Sequence, residues 1–150
     1  QSAENTPPLV DYVHHANSLS DGSFFVTYNN MSKRKNTQSL RWARWTGSDW
    51  IHGTIDEKPF DKPLSRYGSV QHVRGEHFRI SIIDEDLYKV RIQETKDGGR
   101  TWRPVYEEVF DTGGQALNSA DFVVPYRPGF PQIMVTTCPP KDKHNTDPPG

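Results

Sequence analysis

Thr95-Lys96-Asp97-Gly98-Gly99-Arg100-Thr101-Trp102 sits between two runs of alternating apolar residues, Tyr88 to Glu94 and Arg103 to Phe110. Asp-Gly between such runs is the strongest short-range signal for a β-hairpin. Asp97 can turn its carboxylate back onto the N–H groups of the turn. Gly98 and Gly99 supply positive φ without steric cost. Thr101 adds a hydroxyl, and Trp102 is a large ring able to cover the turn from the next strand. The stretch reads first as a stapled turn.

Working outward, the same order of elements occurs twice. In the first half, Val13 to Leu19 is a short apolar run, Asp21-Gly22 a turn, and Ser23 to Tyr28 a β-branched and aromatic strand. Asn29 to Ser39 reads as a polar loop, Leu40 to Trp45 as a strand, Thr46 to Asp49 as a turn, and Trp50 to Ile55 as the closing strand. Glu57 to Arg66 reads as a crossover. Then Gly68 to Val73, His77 to Asp84, Tyr88 to Glu94 and the turn ending in Trp102 answer these elements in order. The offset stays near ~53 residues, within the range that marks solenoids, propellers or arrays. A third unit begins with Ala120 to Pro125 and Gln132 to Cys138, and a Pro-Pro pair then opens a polar tail.

The expected fold is therefore all-β: antiparallel four-stranded blade repeats forming an incomplete β-propeller, two blades plus half of a third. The first unit spans about 9–57, the second about 66–111 and the partial third about 116–138. Residues 1–8 read as a flexible arm and 139–150 as a polar tail. A four-stranded sheet that is apolar on both faces must stack on neighbours. Propellers usually need at least about four blades, so another chain, the same or different, is expected to complete the ring. A compact β-sandwich is the alternative.

Composition bounds the function. The 150 residues include four Trp, six Tyr and seven Phe, too many aromatics for a disordered chain. A formal net charge of −1 leaves no electrostatic footprint for nucleic acid. No apolar run is long enough to span a membrane as a helix. The single cysteine, Cys138, rules out an internal disulfide framework and reads as a buried thiol. Gln1 in place of an initiator Met points to a processed or truncated product. Asn30-Met31-Ser32 is an N-glycosylation acceptor, with Asn30 as the site, if the protein is secreted.

Thr95, Asp97, Gly99, Thr101 and Trp102 meet every defined position of the Asp-box, or bacterial neuraminidase repeat, Ser/Thr-x-Asp-x-Gly-x-Thr-Trp. Thr46-Gly47-Ser48-Asp49-Trp50 resembles a shortened copy. From Val10 to about Cys138 the chain resembles Asp-box propellers, which include sialidases, other glycoside hydrolases, lectins and sorting receptors. The resemblance implies that this motif holds an outer hairpin, away from the central site. It also implies an extracellular protein that processes or recognises carbohydrate. A sialidase-like hydrolase is favoured; a lectin whose ring is completed by oligomerisation and a protein-interaction scaffold are the alternatives.

A sialidase would need three arginines on a carboxylate, a tyrosine nucleophile and an aspartate acid/base; arginine suits the first role through its bidentate fork. Asp121, Asp11, Arg127 and Tyr126 are the catalytic candidates. The Arg-Ile-Pro entry motif of that family is absent, and the catalytic set is left unassigned. For ligand binding the candidates are Arg41, Trp45, Arg79, Arg91 and His72, since a sugar site combines an aromatic platform with charged groups for the hydroxyls. Trp45 has no aromatic counterpart in the second unit, whereas Trp50 and Trp102 match and read as structural. Adjacent His14 and His15 point to opposite faces of a strand, which argues against a shared metal. No metal and no cofactor are expected.

Overall fold

The computed structural model describes residues 10–19, 21–32, 36–59, 65–84, 87–123, 128 and 133–138. Its strands are β1 (Val10–Ser18), β2 (Phe24–Ser32), β3 (Thr37–Trp45), β4 (Trp50–Pro59), β5 (Ser65–Arg74), β6 (His77–Asp84), β7 (Lys89–Thr95), β8 (Arg103–Val109), β9 (Ala116–Phe122) and β10 (Ile133–Cys138). They form three antiparallel sheets: β1-β2-β3-β4, β5-β6-β7-β8, and β9-β10. Among the described residues there is no α-helix, and no sheet closes on itself.

Alternation along the strands decides how the sheets stack. In the first sheet Phe25, Leu40 and Trp42 are buried against Val70, Phe78, Ile80 and Ile82 of the second. Ile83 and Val90 lie on the opposite face of the second sheet and are buried against Leu117 and Ala120 of the third. The middle sheet is thus covered on both sides, and β6 is buried along nearly its whole length. The last strand of each four-stranded sheet, β4 or β8, is mostly exposed. The sheets approach each other chiefly through their first strands, with β5 against both β1 and β9.

The first and third sheets share a local irregularity. Val26 faces Ala16 and Val135 faces Ala120; in each sheet a bulge then skips one residue of the first strand, between Val13 and His15 or between Leu117 and Ser119. A bulge also interrupts β5 between Tyr67 and Val70. Bulges of this kind raise the local twist and bend the strand.

Two stretches differ from the sequence expectation. β2 and β3 run into the polar segment read as a loop, and the hairpin turns near Asn36, whose φ is 53°. Asn29, Gln38 and Ser39 are buried there, and Asn29 Nδ2 donates to the Ser65 carbonyl at 3.3 Å. Hydrogen bonding across the sheets is what lets polar residues occupy interior strand positions. Ser69, Ser81 and Gln71 do the same on the other side of β5: Phe122 N donates to Ser69 Oγ at 2.7 Å, the Ser81 hydroxyl meets the Ala120 carbonyl, and Gln71 Nε2 donates to the Val123 carbonyl at 3.4 Å. The second difference is β4, which continues to Pro59. It pairs only with β3 in its sheet, and an edge strand tolerates proline.

The turn after β7 is held by its own side chains. Thr95 Oγ1 accepts from Gly99 N at 2.8 Å and donates to Asp97 Oδ1 at 2.7 Å. Asp97 accepts from Thr101 N at 2.9 Å and from the Thr101 hydroxyl at 2.6 Å. The Thr101 hydroxyl and N–H bonds, then the Thr95 hydroxyl, hold the Asp97 carboxyl well below the ordinary carboxylate range. Gly98 and Gly99 have φ of 72° and 105°. A Cβ on Gly99 would strike the Trp42 ring, whereas one on Gly98 would strike the end of the Glu76 side chain. Gly99→Ala is therefore expected to lower the urea midpoint clearly more than Gly98→Ala. Both pay for positive φ, roughly 1–2 kcal/mol, but only the first also displaces a buried ring, about 1–3 kcal/mol more. Equal losses would show that the Trp42 contact is not limiting.

Candidate functional site

Among the described residues, three ionic clusters organise the polar side chains. In the first, Arg44 is buried and reaches from β3 towards the second sheet. It lies 2.8 Å from Glu76 Oε2 and 3.2 Å from Asp21 Oδ2, with its guanidinium 4.7 Å above the Phe78 ring. Asp21 is fixed by accepting from Ser23 N at 2.9 Å and from the Ser23 hydroxyl at 2.6 Å. That hydroxyl bond is the largest of the influences that lower its pKa.

The second cluster joins the two four-stranded sheets. Asp84, 2% exposed, accepts from Arg91 Nε at 2.6 Å, Arg91 Nη2 at 3.1 Å, Lys58 Nζ at 3.1 Å and the Ser65 hydroxyl. Arg91 Nη2 also donates to Asp56 Oδ2 on β4 at 3.0 Å. Burial alone would raise the Asp84 pKa, but the bonds from Arg91 and Ser65 outweigh it and lower it. Burial opposes the charge of Arg91 too, and Asp84 more than restores it.

The third cluster borders an open cleft of about 440 Å³ lined by Arg74, Gly75, Glu76, His77 and Lys96. The turns after β5 and β7 meet here, tied by a bond from Gly98 N to the Glu76 carbonyl at 3.0 Å. Behind them Glu94 is buried beside three cations, Arg103 Nη2 at 2.8 Å, Arg79 Nε at 3.0 Å and Lys96 Nζ at 3.7 Å, with His77 Nε2 at 2.8 Å. Burial pushes the Glu94 carboxyl up, yet the bonds from Arg103, His77 and Arg79 together hold it at about 2. Arg74, Arg79, Lys96 and Arg103 thus surround two carboxylates, Glu76 and Glu94, and Glu76 is already engaged by Arg44. The surroundings carry an excess of positive charge. His72 braces this corner: its Nε2 lies 2.9 Å from the Gly75 carbonyl, and its ring stacks on Phe78 at 4.9 Å.

The sequence candidates fall in different places. Arg79 belongs to the cleft cluster and Arg91 to the inter-sheet cluster, so the two do not converge on one point. Arg41 lies on the free face of the first sheet, its guanidinium 6.0 Å from the Tyr28 ring centre, and its Nε is buried without a hydrogen-bond partner among the described residues. Trp45 packs against Trp50 at 5.8 Å, and Trp50 stays 53% exposed. Asp121 is half-buried on β9 opposite Met134, and Asp11 lies on β1 opposite Asn30. The two aspartates are on different sheets, with β5 between. Asn30 is half-buried within β2, paired to β1 and β3. Tyr126 and Arg127 lie outside the described residues.

Arg74, Lys96, Glu94 and Arg103 were not singled out from sequence. The signal was present in the register: Glu94 pairs with Arg79 on one side and Arg103 on the other, and opposite charges across strands attract. Among the described residues no group of three or more His, Cys, Asp or Glu side chains could hold a metal ion, and no helix is long and apolar enough to cross a membrane. The chain matches no family model, no curated protein and no solved structure.

Proposed function

We propose that this chain is a carbohydrate-recognising module of an extracellular propeller-type protein, and that it grips a carboxylate-bearing sugar in the cleft between the turns after β5 and β7. The carrying observation is the excess of cations there: Arg74 and Lys96 line an open cleft, and Glu94 behind them, 3.7 Å from Lys96, is also met by Arg79 and Arg103. Arginine and lysine suit an anionic sugar, and Glu76 offers an acceptor for hydroxyls. The blade reading draws support from sheets stacked through their first strands and from the repeated bulges.

At this cleft, recognition is favoured over hydrolysis by the ion pairs already made by the acid behind it. A glycosidase needs one carboxyl that holds a proton near neutral pH. Glu94, held at about 2 by Arg103, His77 and Arg79, is a carboxylate behind the cleft and no proton donor to it. The test is titration with sialyllactose and with uronic-acid oligosaccharides, alongside their neutral counterparts, plus a panel of fluorogenic glycosides. Binding is expected for the acidic sugars alone, weakening with salt as charge contacts do. The Arg74→Ala, Lys96→Ala double variant is expected to lose at least about tenfold in affinity, equivalent to roughly 1.4 kcal/mol. Turnover of a sialoside would favour the sialidase-like reading instead, and no response to any sugar would favour a protein-interaction scaffold.

A further inference from the structure

The repeat supplies a template for a surface that the described chain leaves open. Phe25 of β2 points out of the first sheet and packs on Phe78 of β6, ring centres 5.4 Å apart. Strand registers give the counterparts of both residues. Phe24 occupies in the first sheet the place of Phe78 in the second: Phe24 faces Trp45, and Phe78 faces Thr95, at the end of the third strand in each. Met134 occupies in the third sheet the place of Phe25 in the first, each next to the valine that faces Ala120 or Ala16. Phe78 is fully buried because the first sheet covers it, yet Phe24 is 39% exposed and Met134 56% exposed.

The free face of the first sheet shows a second sign of a missing neighbour. Arg41 faces Tyr28 as Arg91 faces Ile82. Arg91 is met across the sheets by Asp56, whereas the buried Nε of Arg41 has no partner among the described residues. Phe24 and Arg41 thus share one face of the first sheet, in register with Phe78 and Arg91, which the neighbouring sheet meets inside the chain.

We infer that a second copy of this chain docks head to tail, Met134 on the free face of β9-β10 packing against Phe24 on the free face of β1-β2-β3-β4. The contact repeats the Phe25–Phe78 contact inside the chain. In a closed pair related by a two-fold axis the contact occurs twice, Met134 of each copy on Phe24 of the other, so both free faces of each copy are used. The inference rests on the propeller reading above.

Light scattering after size exclusion, over a range of concentrations, tests it. The expected mass is twice the 17.2 kDa of one chain. Met134→Glu and Phe24→Glu are each expected to give monomers with an unchanged β-type far-UV circular dichroism spectrum. Mixing the two variants is expected to restore a dimer, because one intact Met134–Phe24 contact survives in the mixed pair. A folded chain that stays monomeric throughout overturns the inference, and so does a dimer that Met134→Glu leaves intact. Should either charged variant misfold, a Cys138→Ser chain carrying Phe24→Cys and Met134→Cys is treated with a short bismaleimide. Intermolecular linkage is expected, and its absence overturns the inference. Mass and sugar binding are scored separately. A dimer without glycan affinity sinks the proposed function but leaves this interface; a monomer that binds acidic sugars does the reverse.

Discussion

Trp42→Ala is expected to destabilise the protein by about 3–5 kcal/mol, the range for removing a large aromatic from a core. Trp42 is buried, stacks on Phe25 at 5.6 Å and meets Trp102 edge-on at 6.1 Å. Its ring lies against two glycines, Gly53 in its own sheet and Gly99 in the next, both too close for a Cβ. The side chain therefore joins β3, β4 and the turn after β7. Its removal opens a cavity bounded by backbone, which relaxes poorly. A loss of that size is a large part of the stability of an ordinary domain, about 5–15 kcal/mol. Urea unfolding followed by tryptophan fluorescence and by far-UV circular dichroism is the check. A loss under about 1 kcal/mol would show that the two sheets do not depend on this contact.

Asp84→Ala is expected to cost a similar amount, about 3–5 kcal/mol, for a different reason. Removing one member of a buried ion cluster leaves the others desolvated and uncompensated. Here Arg91 would retain Asp56, but Lys58 would lose its buried carboxylate. Asp84→Leu combined with Arg91→Met is expected to recover part of the loss, since apolar replacement of a buried pair is often neutral. If the double variant is worse than the sum of the singles, stranded charge is not the cause.

The same cluster sets an acid limit. Asp84 has a folded pKa below its ordinary value, so its contribution is complete above about pH 4 and is lost as pH falls towards the folded value. Glu94 has the same sign, with its loss falling between its usual value near 4.5 and about 2. Wild-type stability should therefore drop steeply below about pH 4, and Asp84→Ala should flatten part of that drop. A wild-type profile level from pH 5 to pH 3 would contradict the roles given to both carboxylates.

Much of the strand content is legible in the sequence. Phe24 to Tyr28 and Leu40 to Trp45 announce strands through β-branched and aromatic residues in alternation, and they lie within β2 and β3. The ends were harder. Asn29, Gln38 and Ser39 look like loop residues because their polarity is local information, whereas the Ser65 carbonyl that accepts from Asn29 is 36 residues away. The cleft was hidden for a related reason. Arg79 could be named as a cation, but its engagement by Glu94 depends on which strand lies beside β6.

Thr95 to Trp102 marks the division. The residue types of that turn carry their own hydrogen-bond partners within a few positions, so its local chemistry is written in the chain itself. What the turn does for the rest of the molecule is not. That Gly99 must lack a side chain because Trp42, 57 positions earlier, lies upon it follows only from how the sheets stack. The pairing of Asp84 with Lys58, and of Glu94 with Arg103, likewise awaited the stacking and register of strands. Turns and alternation depend on near neighbours and the period of the backbone. Ion clusters and open faces depend on long-range contacts, which any one stretch of sequence leaves undetermined.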